Sequence, residues 1–322
     1  MRAVAIVNAY TGALCLQELV DQGWEVVGVV TAPGDPFPGS PRENSVKLTA
    51  DRNYLPAYQP ALREVNSPAF IEVLRRLKPD LIASMHYPLI FKPEVLRIPP
   101  LGCINEHPSR LPAGRGMTPS WWHMLVGDDR NWVSLHYLDP GIDTGDVIAQ
   151  GSVPIADDDT GHTTSRKLSE EGHRIFAQSL PLVREGKAPR TPQRLVEGVK
   201  SSYYSWKPWM ARIAWEKPAA EVVLQVRCLT HPKSEPSWTG CAYTNLAGRK
   251  LNVWTARVVD GGRWAAAQAD PGEVLAVTGE GLLVKAGTGL VLLVDVDLAG
   301  SPDPGPSGIL PLLGSRAPAL LS

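Results

Sequence analysis

Asn105, His107 and Asp143 are the residues of this chain whose types and setting best suit proton chemistry. They fall within residues 101–148, LGCINEHPSRLPAGRGMTPSWWHMLVGDDRNWVSLHYLDPGIDTGDVI. An amide donates to a developing oxyanion, and an imidazole moves a proton near neutral pH. A carboxylate orients the ring or stabilises its charged form. Each residue alone has an ordinary structural reading: Asn105 caps a turn, His107 sits in a loop, Asp143 steadies a Gly-rich bend. Together they form a set that a pure binding module does not need. No Ser or Cys is placed as a nucleophile, and no metal-ligand spacing is present. Cys15, Cys103, Cys228 and Cys241 lack any CxxC spacing, which points to a reduced, cytoplasmic protein.

The elements that must position this set read as an α/β fold. Residues 3–7 are a continuous apolar run of strand length, and residues 8–12 read as a turn. Residues 13–22 have helical spacing at Leu14, Leu16 and Leu19, and residues 25–31, EVVGVVT, are β-branched. Strand, helix, strand within about thirty residues predicts a βαβ unit with a right-handed crossover. The first turn lacks G-x-G-x-x-G, which weakens a dinucleotide reading and leaves the doubly wound architecture in place.

Residues 32–42 read as a surface loop, 43–53 and 68–77 as helices, and 80–84 as a buried strand. Residues 103–105 and 132–138 supply two further strands. Asn105 and His107 are therefore expected just past the end of one strand and Asp143 past the end of another, where open α/β sheets bind ligands. Residues 162–185 read as one long helix with Leu168, Ile175, Phe176 and Leu180 on its apolar side, and with His162 and His173 on its surface. His123 and His136 read as structural, and Trp121-Trp122 as packing. Residues 186–204 resemble a linker.

Residues 219–229 form a further helix, and short strands separated by Gly-rich turns recur from residue 240 to 297. They predict a small β-barrel. The fold expected is thus a doubly wound, Rossmann-like catalytic domain over residues 1–190 and a linker over 191–212. An OB-like β-barrel domain follows over 213–300, with a tail over 301–322. A length of 322 residues suits two domains, and 43% apolar with 20% charged residues is ordinary for a globular protein. The net charge of -1, from 32 basic and 33 acidic residues, makes no electrostatic case for nucleic acid. No run approaches the roughly 18 to 20 apolar residues that a membrane-spanning helix requires.

Asn-x-His followed by Pro108-Ser109-Arg110-Leu111-Pro112, Arg115-Gly116, Pro119 and the bend Asp139-Pro140-Gly141-Ile142-Asp143-Thr144-Gly145 resembles the folate-dependent formyltransferase family. Arg110 stands where the family usually has Leu. The resemblance covers roughly residues 1 to 300, strongly in 101–148 and weakly in the C-terminal part. It implies 10-formyltetrahydrofolate as co-substrate and Asn105, His107 and Asp143 as catalytic residues. An amine would attack the formyl carbon, Asn105 would hold the oxyanion, His107 would act as base, and Asp143 would orient that base. For the folate, the resemblance implies His86, Tyr87, Pro88, Leu89, Leu111, Pro112, Asp139, Pro140, Gly141 and Ile142, with main-chain groups reading the pterin and apolar side chains holding it.

Residues 32–42 carry Arg42 as their single positive charge, whereas phosphate backbones are bound by several Lys or Arg. A small-molecule amine, on an amino-sugar nucleotide or an ornithine-type compound, is therefore the expected acceptor. Methionyl-tRNA is the alternative. Hydrolysis of the formyl-folate stands third, and a non-catalytic folate-binding module is the reading from another class.

Overall fold

The computed structural model describes residues 1–36, 41–117, 119–233, 240–260, 268–299 and 309. It divides into two compact units. The first comprises Met1–His123, Asp129–Ile155 and Thr164–Ser205, and the second Met124–Asp128, Ala156–Thr163 and Trp206–Ser322. The expected tail, 301–322, lies outside the described residues apart from Ile309.

In chain order the first unit opens with β1 (Arg2–Val7), α1 (Ala9–Asp21), β2 (Glu25–Val30), α2 (Val46–Arg52), β3 (Ala57–Tyr58) and α3 (Pro68–Leu77). It continues with β4 (Leu81–Met85), α4 (Pro93–Leu96), β5 (Cys103–His107), β6 (Arg115–Gly116) and the start of α5 (Pro119–Leu125). β7 (Arg130–Tyr137), β8 (Val147–Pro154), most of α6 (Gly161–Arg184) and β9 (Tyr203–Tyr204) complete it. The main sheet runs β3-β2-β1-β4-β5-β7-β8. Pairing is parallel from β3 to β5, then antiparallel for β5 with β7 and for β7 with β8. Strand order reverses between β1 and β4, the switch point of a doubly wound sheet.

Helices cover both faces, as a sheet of near-continuous apolar strands demands. Leu16 and Leu19 of α1 with Phe176 and Leu180 of α6 pack against Val29, Ala83, Ile104 and Leu135. On the other face Ile71 and Leu74 of α3 meet Val4, Ile6 and Ile82. α3 starts where its sequence says it should: Ser67 accepts the Phe70 N–H at 3.2 Å, and Pro68 follows at the first helical position.

α1 begins earlier than expected, at Ala9 instead of after Gly12. Gly12 is there for close approach and not for a turn, because a Cβ on it would lie 3.0 Å from Val7 Cβ. β8 has no counterpart among the expected strands. The expected linker also differs over residues 191–205, which belong to the first unit.

The second unit contains α7 (Ala219–Leu229) and an antiparallel sheet ordered β10-β11-β14-β13-β12. Those strands are β10 (Ala242–Leu246), β11 (Arg249–Val259), β12 (Val274–Thr278), β13 (Gly281–Lys285) and β14 (Leu290–Leu298). Its core includes Val222 and Val226 of α7 and Leu251, Val253, Val284 and Leu293 of the sheet, all buried. Trp215 donates its indole N–H to Thr244 Oγ1 at 3.0 Å within that interior.

Candidate active site

β5 carries the first two residues of the set. Side chains alternate across a sheet, so Asn105 and His107 share one face and Ile104 and Glu106 the other. Both stand within the strand and not beyond it, because pairing with β7 sets Asn105 opposite His136 and His107 opposite Ser134. Asp143 also arrives by a different route. β7 is antiparallel, and its carboxyl end, at Tyr137, lies beside Ile104 near the start of β5. The 139–145 bend returns from there and sets Asp143 Oδ2 3.6 Å from His107 Nδ1. The three residues do converge.

Hydrogen bonds assign the ring protons. His107 Nε2 lies 2.8 Å from the Gly114 carbonyl. A carbonyl only accepts, so Nε2 carries a proton, and Nδ1 is the ring nitrogen turned toward Asp143. At 3.6 Å that carboxylate is a neighbour, not a hydrogen-bond partner. Ring orientation therefore comes from Gly114, and the carboxylate contributes charge.

His136 Nδ1 lies 2.8 Å from the Tyr137 carbonyl and carries the proton, which leaves Nε2 to accept from Asn105 Nδ2 at 3.2 Å. Burial, aided by His107 and opposed by Asp143, pulls His136 down to about 4. Its Nε2 therefore stays an acceptor at neutral pH. That bond fixes the Asn105 amide and leaves its second amide hydrogen unengaged among the described residues. The alternation of SLHYL puts His136 on one face of a strand; the pairing partner that gives that face its meaning is not in the pattern.

Asp143 has a left-handed φ of 51°, a conformation that Asp tolerates better than most residues. Its Oδ2 accepts the Gly116 N–H at 2.9 Å. Gln193, which sequence reasoning left inside a linker, donates to the Asp143 and Gly145 carbonyls at 2.7 and 2.8 Å.

The residues expected at the folate divide into an accessible group and a supporting group. Pro88, Pro140 and Gly141 are exposed, Leu89 is half-buried, and Ile142 is 40% exposed. Asp139 Oδ1 accepts from the Gly141 N–H at 3.1 Å and the Thr144 hydroxyl at 2.6 Å, which stiffens this rim. Tyr87 is buried and stacks on Phe91 at 6.4 Å. Leu111 is fully buried, with its N–H given to Ser134 Oγ, and Pro112 is buried beside it. These three are withdrawn from the surface. The accessible group combines apolar side chains with accessible main chain. Arg110 lies over Trp132, its Cζ 4.4 Å from the ring centroid. Trp121 and Trp122 pack edge to face, and Trp122 stacks on Tyr204 at 5.3 Å, so both are committed to packing. A cleft of about 510 Å³ lined by Arg75, Lys78, Asp80 and Arg97 lies at the amino end of β4, the end away from His86.

Glu106 is the residue that sequence reasoning passed over as the middle position of Asn-x-His. It is 2% exposed, and its Oε2 has no hydrogen-bond partner. Burial pushes its carboxyl up to about 8. Gly172 of α6 makes room for it, since a Cβ there would meet the Glu106 carboxyl carbon at 2.6 Å. The partly exposed His86, with a left-handed φ of 54°, places Nε2 3.8 Å from Glu106 Oε2. Burial and the nearby His107 both lower the pKa of His86.

Residues 2–180 match the formyl transferase family and residues 206–304 the formyl transferase C-terminal domain. A methionyl-tRNA formyltransferase of Pelotomaculum thermopropionicum is 33% identical over 288 residues, covering 89% of this chain and 87% of that one. One from Symbiobacterium thermophilum is 37% identical over 287 residues, covering 88% and 84%. An N-formyltransferase from Helicobacter canadensis, solved with folinic acid and dTDP-3-aminofucose, shares the fold. Its TM-score is 0.62 at 18% identity, over 91% of this chain and 98% of that one. With two domains matched in order and relatives spanning most of its length, the chain belongs to the folate-dependent formyltransferase family.

Proposed function

We propose that this enzyme transfers the formyl group of 10-formyltetrahydrofolate to the amine of methionyl-tRNA. The observation that carries the acceptor is the run of methionyl-tRNA formyltransferases at 31–37% identity across at least 88% of the chain. It reverses the order of acceptors expected from charge alone. The chemistry is assigned to the first unit, where Asn105, His107 and Asp143 converge.

The folate supplies an activated formyl carbon. Asn105, held by His136, directs its free amide hydrogen at the oxyanion that develops there, a contribution of about 10²–10³-fold in comparable sites. With Nε2 bonded to the Gly114 carbonyl, Nδ1 is the His107 atom that takes the amine proton, directly or through one water, then returns a proton to the leaving folate nitrogen. The Asp143 carboxylate at 3.6 Å stabilises the imidazolium formed in between. Pro88, Leu89 and the 139–142 rim hold the pterin.

A small-molecule amine is the second reading, favoured by the single positive charge, Arg42, in residues 32–42. Purified enzyme with 10-formyltetrahydrofolate and a panel of methionyl-tRNA, amino-sugar nucleotides and hydroxyornithine separates the readings by release of tetrahydrofolate. Release with methionyl-tRNA supports the proposal, and release with only a small amine replaces it by the second reading. Release without any amine identifies a hydrolase, and no release under any condition points to a folate-binding module.

A further inference from the structure

The first unit holds a segment with no apolar period that nevertheless binds both loops of the active site. Residues 191–204 pair at one end with β8, where Thr191 and Val147 exchange both main-chain hydrogen bonds at 2.8 and 3.0 Å. At the other end they join the loop that orients His107. The Gly114 N–H bonds Ser202 Oγ at 2.8 Å, the Arg115 N–H bonds the Ser202 carbonyl at 3.1 Å, and β6 pairs with β9.

Between these ends sits Gln193, 5% exposed. Both hydrogens of its amide nitrogen are used, on the Asp143 carbonyl at 2.7 Å and the Gly145 carbonyl at 2.8 Å. Its Oε1 accepts from Arg115 Nε at 3.1 Å and Nη2 at 2.9 Å. Every donor and acceptor of this side chain is therefore engaged across the two loops that must meet. One loop presents the Asp143 carboxylate. The other presents the Gly114 carbonyl to His107 and the Gly116 N–H to Asp143. No other side chain among the described residues is hydrogen-bonded to the main-chain carbonyl of Asp143, whose left-handed φ makes the bend dependent on such contacts.

We propose that Gln193 is a positioning residue for formyl transfer, which sets the separation between the Asp143 carboxylate and the His107 ring by joining their loops through Arg115. The inference rests on the proton-transfer reading above. Only an amide fits the role. A carboxylate would set oxygen against two carbonyls, and an apolar side chain would leave those carbonyls and the Arg115 donors without partners.

The test compares Gln193→Met, Gln193→Glu and Asp143→Asn, singly and with Gln193→Met in the Asp143→Asn background. Wild-type and Gln193→Met crystal structures supply a readout that does not depend on any acceptor. With Met, the 139–145 bend is expected to shift and Asp143 Oδ2 to leave its place near His107 Nδ1. The value of kcat should fall about 10²-fold, the scale of a 1 Å misplacement, while KM for 10-formyltetrahydrofolate changes by less than about twofold. In the Asp143→Asn background Gln193→Met should cost less than about a further twofold, because both act on one interaction. A merely structural role would lower the melting temperature and leave this non-additivity absent. Gln193→Glu, which keeps the shape, should lose kcat as Met does, and it serves if the Met variant does not fold. An unmoved carboxylate, wild-type kcat in Gln193→Glu, or losses that multiply overturn the proposal. Full activity in Asp143→Asn instead defeats the catalytic assignment, and the two crystal structures then still judge Gln193.

Discussion

Glu106 gives the chain a pH dependence that can be worked out before it is measured. Its carboxyl rises from 4.5 to about 8 because burial disfavours the anion. Between those values the folded protein keeps a proton that the unfolded chain has released. The folded state thus binds more protons, and stability falls as pH rises, by about 1.4 kcal/mol per unit. Below pH 4.5 both states are protonated and the loss is zero; above about pH 8 it is complete, at about 5 kcal/mol as an upper bound. Replacing Glu106 by Leu or Gln removes the slope.

Urea unfolding of wild type and both variants at pH 5, 6.5 and 8.5 should show the variants gaining on wild type by about 3–5 kcal/mol across the series. Titrations common to both proteins cancel in this difference. Cys15, whose thiol burial pushes well up with a smaller contribution from Glu106, stays protonated throughout the range. Parallel stability curves would refute the reasoning, since they require Glu106 to be ionised or exposed in the folded protein.

Three further outcomes follow from the site. His107→Ala should cut turnover by about 10²–10⁴-fold while tetrahydrofolate binding, followed by fluorescence, holds; undiminished turnover would remove His107 from the chemistry. Asn105→Ala should lower kcat by about 10²–10³-fold with little change in KM, checked by steady-state kinetics. Gly172→Ala should destabilise the protein by about 1–3 kcal/mol through overlap with Glu106, and adding Glu106→Ala should recover most of that loss in chemical denaturation.

The candidate trio Asn105, His107 and Asp143 was legible because its residue types are uncommon together and its bends follow a family pattern. α3 and α7 were legible in the sequence, and both match their expected bounds. Strand direction was not legible: period two marks β7 as a strand and says nothing of its antiparallel pairing, so the approach of Asp143 was misjudged. Residues 191–204 escaped because side-chain and main-chain bonds hold them in place of an apolar stripe. Glu106 escaped because a carboxylate between Asn105 and His107 reads as lying past the strand until its glycine partner on α6 is seen. His136 was visible as a strand residue, but its grip on Asn105 depends on register.

The loop between β5 and α5 touches His107 and Asp143 through its backbone. Gly114 gives a carbonyl to His107 and Gly116 an N–H to Asp143. Neither contact involves the side chains at Arg110, Ala113 or Met117, of which Met117 is 46% exposed. The backbone of this loop and its side chains at those positions are thereby separate in what they touch. Substitutions at those three positions should therefore leave the Gly114 and Gly116 contacts to His107 and Asp143 in place, because the backbone alone makes them.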